Sequence, residues 1–223
     1  MATRGIVIVG TGGSARETLA LLRDIQRHEH GVWDFHGFVA PHDPEPGLLE
    51  RLSAPFLGYP AALTTDHPHA RDWCFVVGIG NPRYRRSMDD VLTREGLQPT
   101  TLVHPTVLIG DDVTIGAGST ICANSVLTTN IRIGVSAQIN IGCVVAHDAR
   151  IGDYLTLAQG VNIAGNVTIG DDVTLHTQAA VDRGLRLGSG CVIGSGAVVT
   201  RDIEPGVTAV GVPARPILGT HSS

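Results

Sequence analysis

Ile139-Asn-Ile-Gly-Cys-Val-Val145-Ala-His-Asp-Ala-Arg-Ile151-Gly-Asp-Tyr-Leu-Thr-Leu157-Ala-Gln-Gly-Val-Asn-Ile163-Ala-Gly-Asn-Val-Thr-Ile169 carries an aliphatic residue at every sixth position. The same register runs unbroken from Val103 through Val199. Four places after these anchors stands a small or aliphatic residue, as at Val107, Ser119, Ala137, Cys143, Leu155, Val161, Ala179, Cys191 and Ala197. A period of six suits neither a 3.6-residue helix nor an alternating strand. It suits a solenoid in which each hexapeptide forms one flat side and one corner, with three sides closing a coil of about 18 residues. The spacing therefore predicts a left-handed parallel β-helix of nearly six coils over residues 100–203, with a C-terminal turn and tail over 204–223. So narrow a core agrees with an aromatic content of only 4%. Gly, Asn and Asp suit the unusual backbone angles of the corners.

Residues 1–99 lack this period and read as an α/β unit, a small Rossmann-like parallel sheet. Strands are expected at Gly5–Gly10, Phe35–Ala40, Cys74–Gly80 and Thr100–Val103, with a short one near Leu57. Helices are expected at Ser14–Arg27, with Ser14 as N-cap, and at Asn81–Glu95, with Pro82 in its first turn. Gly10-Thr-Gly12-Gly13-Ser-Ala15 ends a strand and opens a helix, so its amides can receive phosphate oxygens at the helix N-terminus. The plainer reading is a tight strand-to-helix turn. No acidic residue follows the second strand closely enough to hold a dinucleotide ribose, Asp43 lying in a proline-rich loop, which argues against NAD. Gly80 and Asn81 end another strand and can line the same crevice. Arg83, Arg85 and Arg86 offer either phosphate partners or a solvated helix face.

All 16 basic residues are Arg, which excludes Schiff-base chemistry and a Walker-type phosphate loop. A net charge of −5 gives no footprint for nucleic acid or an anionic membrane. The four cysteines include no CxxC pair, and no secretory or membrane-spanning segment is evident, so a reduced cytoplasmic protein is expected.

Within the solenoid, Asp111-Asp112 and Asp171-Asp172 read as solvated turns. His147-Asp148 places an imidazole beside a carboxylate that can orient it, the preparation of a general base, although an incidental surface pair has the same sequence. One coil later, at position 165, stands Gly165, whose amide is a candidate oxyanion donor. His104, His147 and His176 do not share a column and cannot converge on one zinc within a chain, so no metal is expected.

Gly10-Thr-Gly-Gly13, Ile79-Gly-Asn81, Asn140-Ile-Gly, Ala146-His-Asp148, Ala164-Gly-Asn166 and Gly211-Val-Pro-Ala-Arg215 together resemble the sialic acid and nucleotide-sugar acetyltransferase family of hexapeptide-repeat acyltransferases, along nearly the whole chain. The resemblance implies acetyl transfer from acetyl-CoA to the amine of a nucleotide-linked amino sugar, in a homotrimer with active sites between subunits. It implies His147 as base, Asp148 as its acidic neighbour and Gly165 as oxyanion donor. Gly10, Gly12, Gly13, Gly80, Asn81, Arg85 and Asn140 would face the sugar nucleotide, and Gly165, Arg183, Pro213 and Arg215 the coenzyme. Two rival readings remain: an acyltransferase with an amino acid or secondary-metabolite acceptor, and a non-catalytic scaffold.

Overall fold

A computed structural model describes residues 3–29 and 31–217. The chain divides into two compact units, Met1–Pro105 and Thr106–Ser223.

In the first unit, β1 (Arg4–Val9), α1 (Gly13–His28), β2 (Trp33–Val39), α2 (Leu48–Arg51), α3 (Leu63–Asp66), β3 (Cys74–Val77), α4 (Pro82–Arg94) and β4 (Gln98–Pro99) follow in order. The strands form one parallel sheet in the order β2-β1-β3-β4. The central strands β1 and β3 are near-continuous apolar runs, as burial on both faces demands. Val7, Val9, Val39, Phe75 and Val77 pack with Leu63, Leu92 and Leu97 in one core. Ala15, Leu19, Leu22 and Ile25 recur at helical spacing and give α1 its buried face. Gly78 fits because a Cβ there would run into the Ala15 backbone, so this glycine lets α1 press against the end of β3.

Three local expectations are corrected. Ser14 is not the N-cap: α1 starts one residue earlier, its cap is Gly12, and no side chain bonds there. Ser14 is already helical, and its carbonyl accepts a hydrogen bond from Thr18 Oγ1 at 2.9 Å. The strand near Leu57 is only an isolated bridge between Phe38 and Phe56. The Thr100–Val103 strand is replaced by Gln98–Pro99 and Leu102–Val103.

The second unit is a parallel β-helix with three sheet faces. The first face stacks Leu108–Ile109, Val126–Leu127, Val144–Val145, Asn162–Ile163, Ala180–Val181 and Val198–Val199. The second runs from Val113–Ile115 to Arg186–Leu187, and the third includes Thr120–Ile121 through Val192–Ile193. Pairing joins residues one coil apart, for example Val145 to Ile163 and Ile163 to Val181. The anchors Leu127, Ile139, Val145, Leu157, Ile163, Leu175 and Ile193 are buried. Leu108 and Ile109 are exposed, because their strand is the edge of its sheet. Each corner places one residue per coil at positive φ, which at the corner between the first and second faces is Asp112, Asn130, Asp148, Asn166 and Gly184 in turn. Asn and Asp are the side chains that tolerate this conformation best after Gly. The last coil is two residues shorter: Leu187 bridges to Ile203 and Val192 pairs with Thr208. Thr208–Val210 then turns back through Gly211–Ala214 to pair antiparallel with Arg215–Pro216.

The four cysteines are free thiols. Burial pushes Cys143 up to about 11 and Cys191 up to about 12, so both are protonated core filler rather than nucleophiles.

Candidate active site

His147 occupies the corner that follows the first-face strand Val144–Val145. Its carbonyl accepts from Asn166 N at 2.8 Å, and Asp148 N donates to Thr129 O at 3.1 Å, so the corner is bonded to the coils above and below. The imidazole is half exposed, with Nδ1 2.7 Å from Asp148 Oδ2. Asp148 is held below its ordinary value, first by the hydrogen bond from His147, then by the one from Asn130 Nδ2 to its Oδ1 at 2.6 Å. An ionised carboxylate only accepts, so Nδ1 is the donor in this bond, and in the neutral ring Nε2 then carries the lone pair.

The support extends further. Asn130 lies one coil below Asp148, and its own Oδ1 accepts from Arg150 Nη2 at 3.1 Å, while Arg150 Nη1 reaches Asn130 O at 2.7 Å. Neither Asn130 nor Arg150 was among the expected site residues. The signal was the same step of one coil that leads from His147 to Gly165, taken downward from Asp148 instead of upward.

Gly165 lies against the imidazole: a Cβ on it would stand 2.5 Å from His147 Cε1 and 2.6 Å from Nε2. Among the described residues, none accepts a hydrogen bond from the Gly165 N–H. His147 and Gly165 are therefore neighbours on one corner.

Asn140 stands at a different corner, between the third and first faces, where its Oδ1 accepts from Ile141 N at 2.7 Å. One chain does not bring it to His147. Arg183 is exposed on the His147 corner, two coils up. Pro213 and Arg215 belong to the C-terminal turn, which is tied to the first face by Ala214 N to Val198 O at 2.7 Å.

In the first unit, Gly10–Gly13 and Gly80–Asn81 follow the C-terminal ends of the adjacent strands β1 and β3, where the strand order reverses and α/β sheets take ligands. Gly10 needs its φ of +99°, and a Cβ there would crowd Gly78 O and Ile79 at 3.1 Å. A Cβ at Gly12 or Gly80 would meet nothing, and the first turn of α1 holds no acidic residue to oppose an anion at the helix N-terminus. Two expected contacts take other roles. Asn81 Oδ1 caps α4, accepting from Arg83 N at 3.0 Å and Tyr84 N at 3.3 Å. Arg85 does not project to a phosphate. It is fully buried, on the face of α4 that also buries Pro82 and Leu92, and its Nη1 donates to Ile79 O at 2.8 Å and Gly80 O at 3.1 Å. It ties down the backbone of the turn between β3 and α4.

Among the described residues, no group of His, Cys, Asp and Glu is placed to hold a metal, and no helix is long and apolar enough to cross a membrane.

No family model and no curated protein sequence matches the chain. Solved structures do. PerB from Caulobacter crescentus, solved in complex with CoA and GDP-perosamine, is 30% identical over 97% of this chain and 98% of its own, with a TM-score of 0.85. WeeI from Acinetobacter baumannii AYE is 31% identical over 96% of this chain and all of its own, with a TM-score of 0.75. The chain belongs to the hexapeptide-repeat nucleotide-sugar N-acetyltransferases. It is a CoA-dependent acyltransferase. The acetyltransferase domain of PglB from Neisseria gonorrhoeae, 23% identical over 96% of this chain and all of its own, shares the fold with a TM-score of 0.80. Perosamine N-acetyltransferase from Caulobacter crescentus has also been solved with a histidine replaced by asparagine or alanine, each time with CoA and GDP-perosamine.

Proposed function

We propose that this acetyltransferase moves the acetyl group of acetyl-CoA to the amine of a GDP-linked 4-amino-4,6-dideoxy sugar, with His147 as general base. The observation that carries the reading is the imidazole, oriented by an ionised Asp148 and seated against the amide of Gly165.

The amine nitrogen attacks the thioester carbonyl carbon, and its proton passes to His147 Nε2. Negative charge gathers on the carbonyl oxygen, where the Gly165 N–H donates to it. The carbon–sulfur bond then breaks, and the thiolate takes up the proton held by the imidazolium. An amide, free CoA and a neutral His147 result, with no covalent enzyme intermediate. Asp148 stabilises the imidazolium while it exists. Gly10, Gly12, Gly13 and Gly80 line the sugar-nucleotide crevice, with Asn81 and Arg85 fixing its shape, and Arg183, Pro213 and Arg215 serve the coenzyme. Asn140 faces the acceptor from a second subunit, because it sits on another corner than His147. That arrangement calls for a homotrimer, and light scattering should give about three times the 23.4 kDa of one chain. Free thiols suit a cytoplasmic setting.

The test is thiol release from acetyl-CoA with UDP-, dTDP- and GDP-linked 4-amino-4,6-dideoxy sugars, with 3-amino sugars and hydroxyl acceptors alongside. Turnover is expected with the GDP-linked 4-amino sugar. Turnover only with another base would move the nucleotide assignment, and silence across the panel would move the acceptor outside nucleotide sugars.

A further inference from the structure

The corner between the first and second faces makes the same contact in two successive coils. Arg132, on the second face, reaches back to Asp112, its Nη1 donating to the Asp112 carbonyl and its Nη2 to Oδ1, each at 2.7 Å. Arg150 pairs with Arg132 in the strand ladder and does the same to Asn130, with Nη1 on the carbonyl at 2.7 Å and Nη2 on Oδ1 at 3.1 Å. In the next coil the ladder continues with Thr168, and the corner residue it would serve is Asp148. Among the described residues, no guanidinium bonds the Asp148 carboxylate. Its Oδ1 accepts instead from Asn130 Nδ2 at 2.6 Å, and its Oδ2 from His147 Nδ1 at 2.7 Å.

We propose that Asn130 is a positioning residue for acetyl transfer: its amide fixes the Asp148 carboxylate, and through it the ring of His147, without setting a positive charge against the carboxylate. The role rests on the reading of His147 as general base. The carboxylate of an aspartate turns readily about its last bond, so one with an unheld oxygen offers an imidazole a changing partner. The bond from Asn130 to Oδ1 leaves Oδ2 as the oxygen that meets Nδ1. Arg150 settles which end of the amide makes that bond. Its two donors take the Asn130 oxygens, so the NH2 group is the end turned to Asp148. The backbone keeps the two corners in register, since Asp148 N donates to Thr129 O at 3.1 Å and both corner residues have positive φ, 52° at Asn130 and 64° at Asp148. A guanidinium would also hold the carboxylate, as Arg132 holds Asp112, but its charge would oppose that of the imidazolium which the carboxylate has to stabilise. The neutral amide gives direction alone, and Arg150 bonds the asparagine rather than the aspartate.

Two substitutions test this. Asn130→Asp keeps the shape, the tolerance for positive φ and an oxygen for Arg150, as Asp112 provides for Arg132, so the corner should fold as before; once ionised, it cannot donate to Asp148. Asn130→Gly removes the side chain at a φ that glycine adopts freely. Each is expected to lose about tenfold or more in kcat, as fits the loss of one charge-assisted bond, with KM for both substrates unchanged and thermal denaturation as the folding check. Heteronuclear NMR of the imidazole nitrogens reads the ring without any acceptor, the His147 signal being identified by its loss in His147→Ala. At a pH where the ring is neutral, the intact protein should show the Nδ1–H form, and both variants a mixture with the Nε2–H form. Wild-type kcat in either variant, or a loss of kcat with the His147 signal unchanged, would overturn the positioning role and leave the general-base reading standing. An intact protein that transfers no acetyl group to any acceptor of the panel would instead remove the general-base reading, and this role with it.

Discussion

Replacing His147 with alanine is expected to lower kcat for acetyl transfer by about 10²- to 10⁴-fold, with little change in KM for either substrate. The substitution removes the proton acceptor and leaves the amide donor at Gly165 and the sugar-nucleotide crevice in place. Folding should be unaffected, because the ring is half exposed and the corner is held by backbone bonds to both neighbouring coils. The acid side of the pH profile will not reflect Asp148. Hydrogen bonds from His147 and Asn130 lower its folded-state value, so the carboxylate stays ionised from neutral pH down to below its ordinary range. Its support is lost only as pH falls through that lowered value. Steady-state kinetics of purified wild type and His147→Ala, measured with thermal denaturation, check the prediction; activity within threefold of wild type would remove His147 from the mechanism.

Gly165→Ala should be nearly as damaging, although it deletes no functional group. The new methyl carbon would stand 2.5 Å from His147 Cε1, 2.6 Å from Nε2 and 3.0 Å from Nδ1, closer than packed atoms approach. The ring has solvent beside it and can swing away, so the expected cost falls on catalysis rather than stability. A fall in kcat of at least about 10²-fold is expected, comparable to losing the base, because the amine would lose its proton acceptor. The alanine N–H remains, so the variant separates ring position from oxyanion donation. Kinetics with thermal denaturation again provide the check: wild-type activity in Gly165→Ala would show that the ring does not work from its place against this glycine.

The solenoid and the stacking of Gly165 on His147 were legible because a strict period turns sequence separation into spatial neighbourhood. Once the coil length is known, residue 165 must lie over residue 147, and the absence of room for any side chain between Gly165 and the imidazole is the geometric expression of that arithmetic. Asn130 was equally within reach, one coil under Asp148, but an asparagine at a corner looks like any other turn residue until its side chain is seen to bond the carboxylate. The α/β unit has no such ruler. Arg85 was read as exposed because arginine usually is; the sign against it was its helical spacing from Pro82 and Leu92, both core-facing. Asn81 directly before Pro82 also carried a local message, the N-cap of a helix, that competed with the crevice reading. Ser14 shows the limit of capping rules, since the glycines before it start α1 without any side-chain cap.

The most direct measurement is mass analysis of a GDP-linked 4-amino-4,6-dideoxy sugar after incubation with acetyl-CoA and either wild type or His147→Ala. The account predicts that wild type adds one acetyl group at the sugar nitrogen and that the variant leaves the sugar nucleotide unchanged on the same time scale. Equal acetylation by both proteins would contradict the role given to His147, and an unmodified sugar nucleotide with wild type would contradict the acceptor.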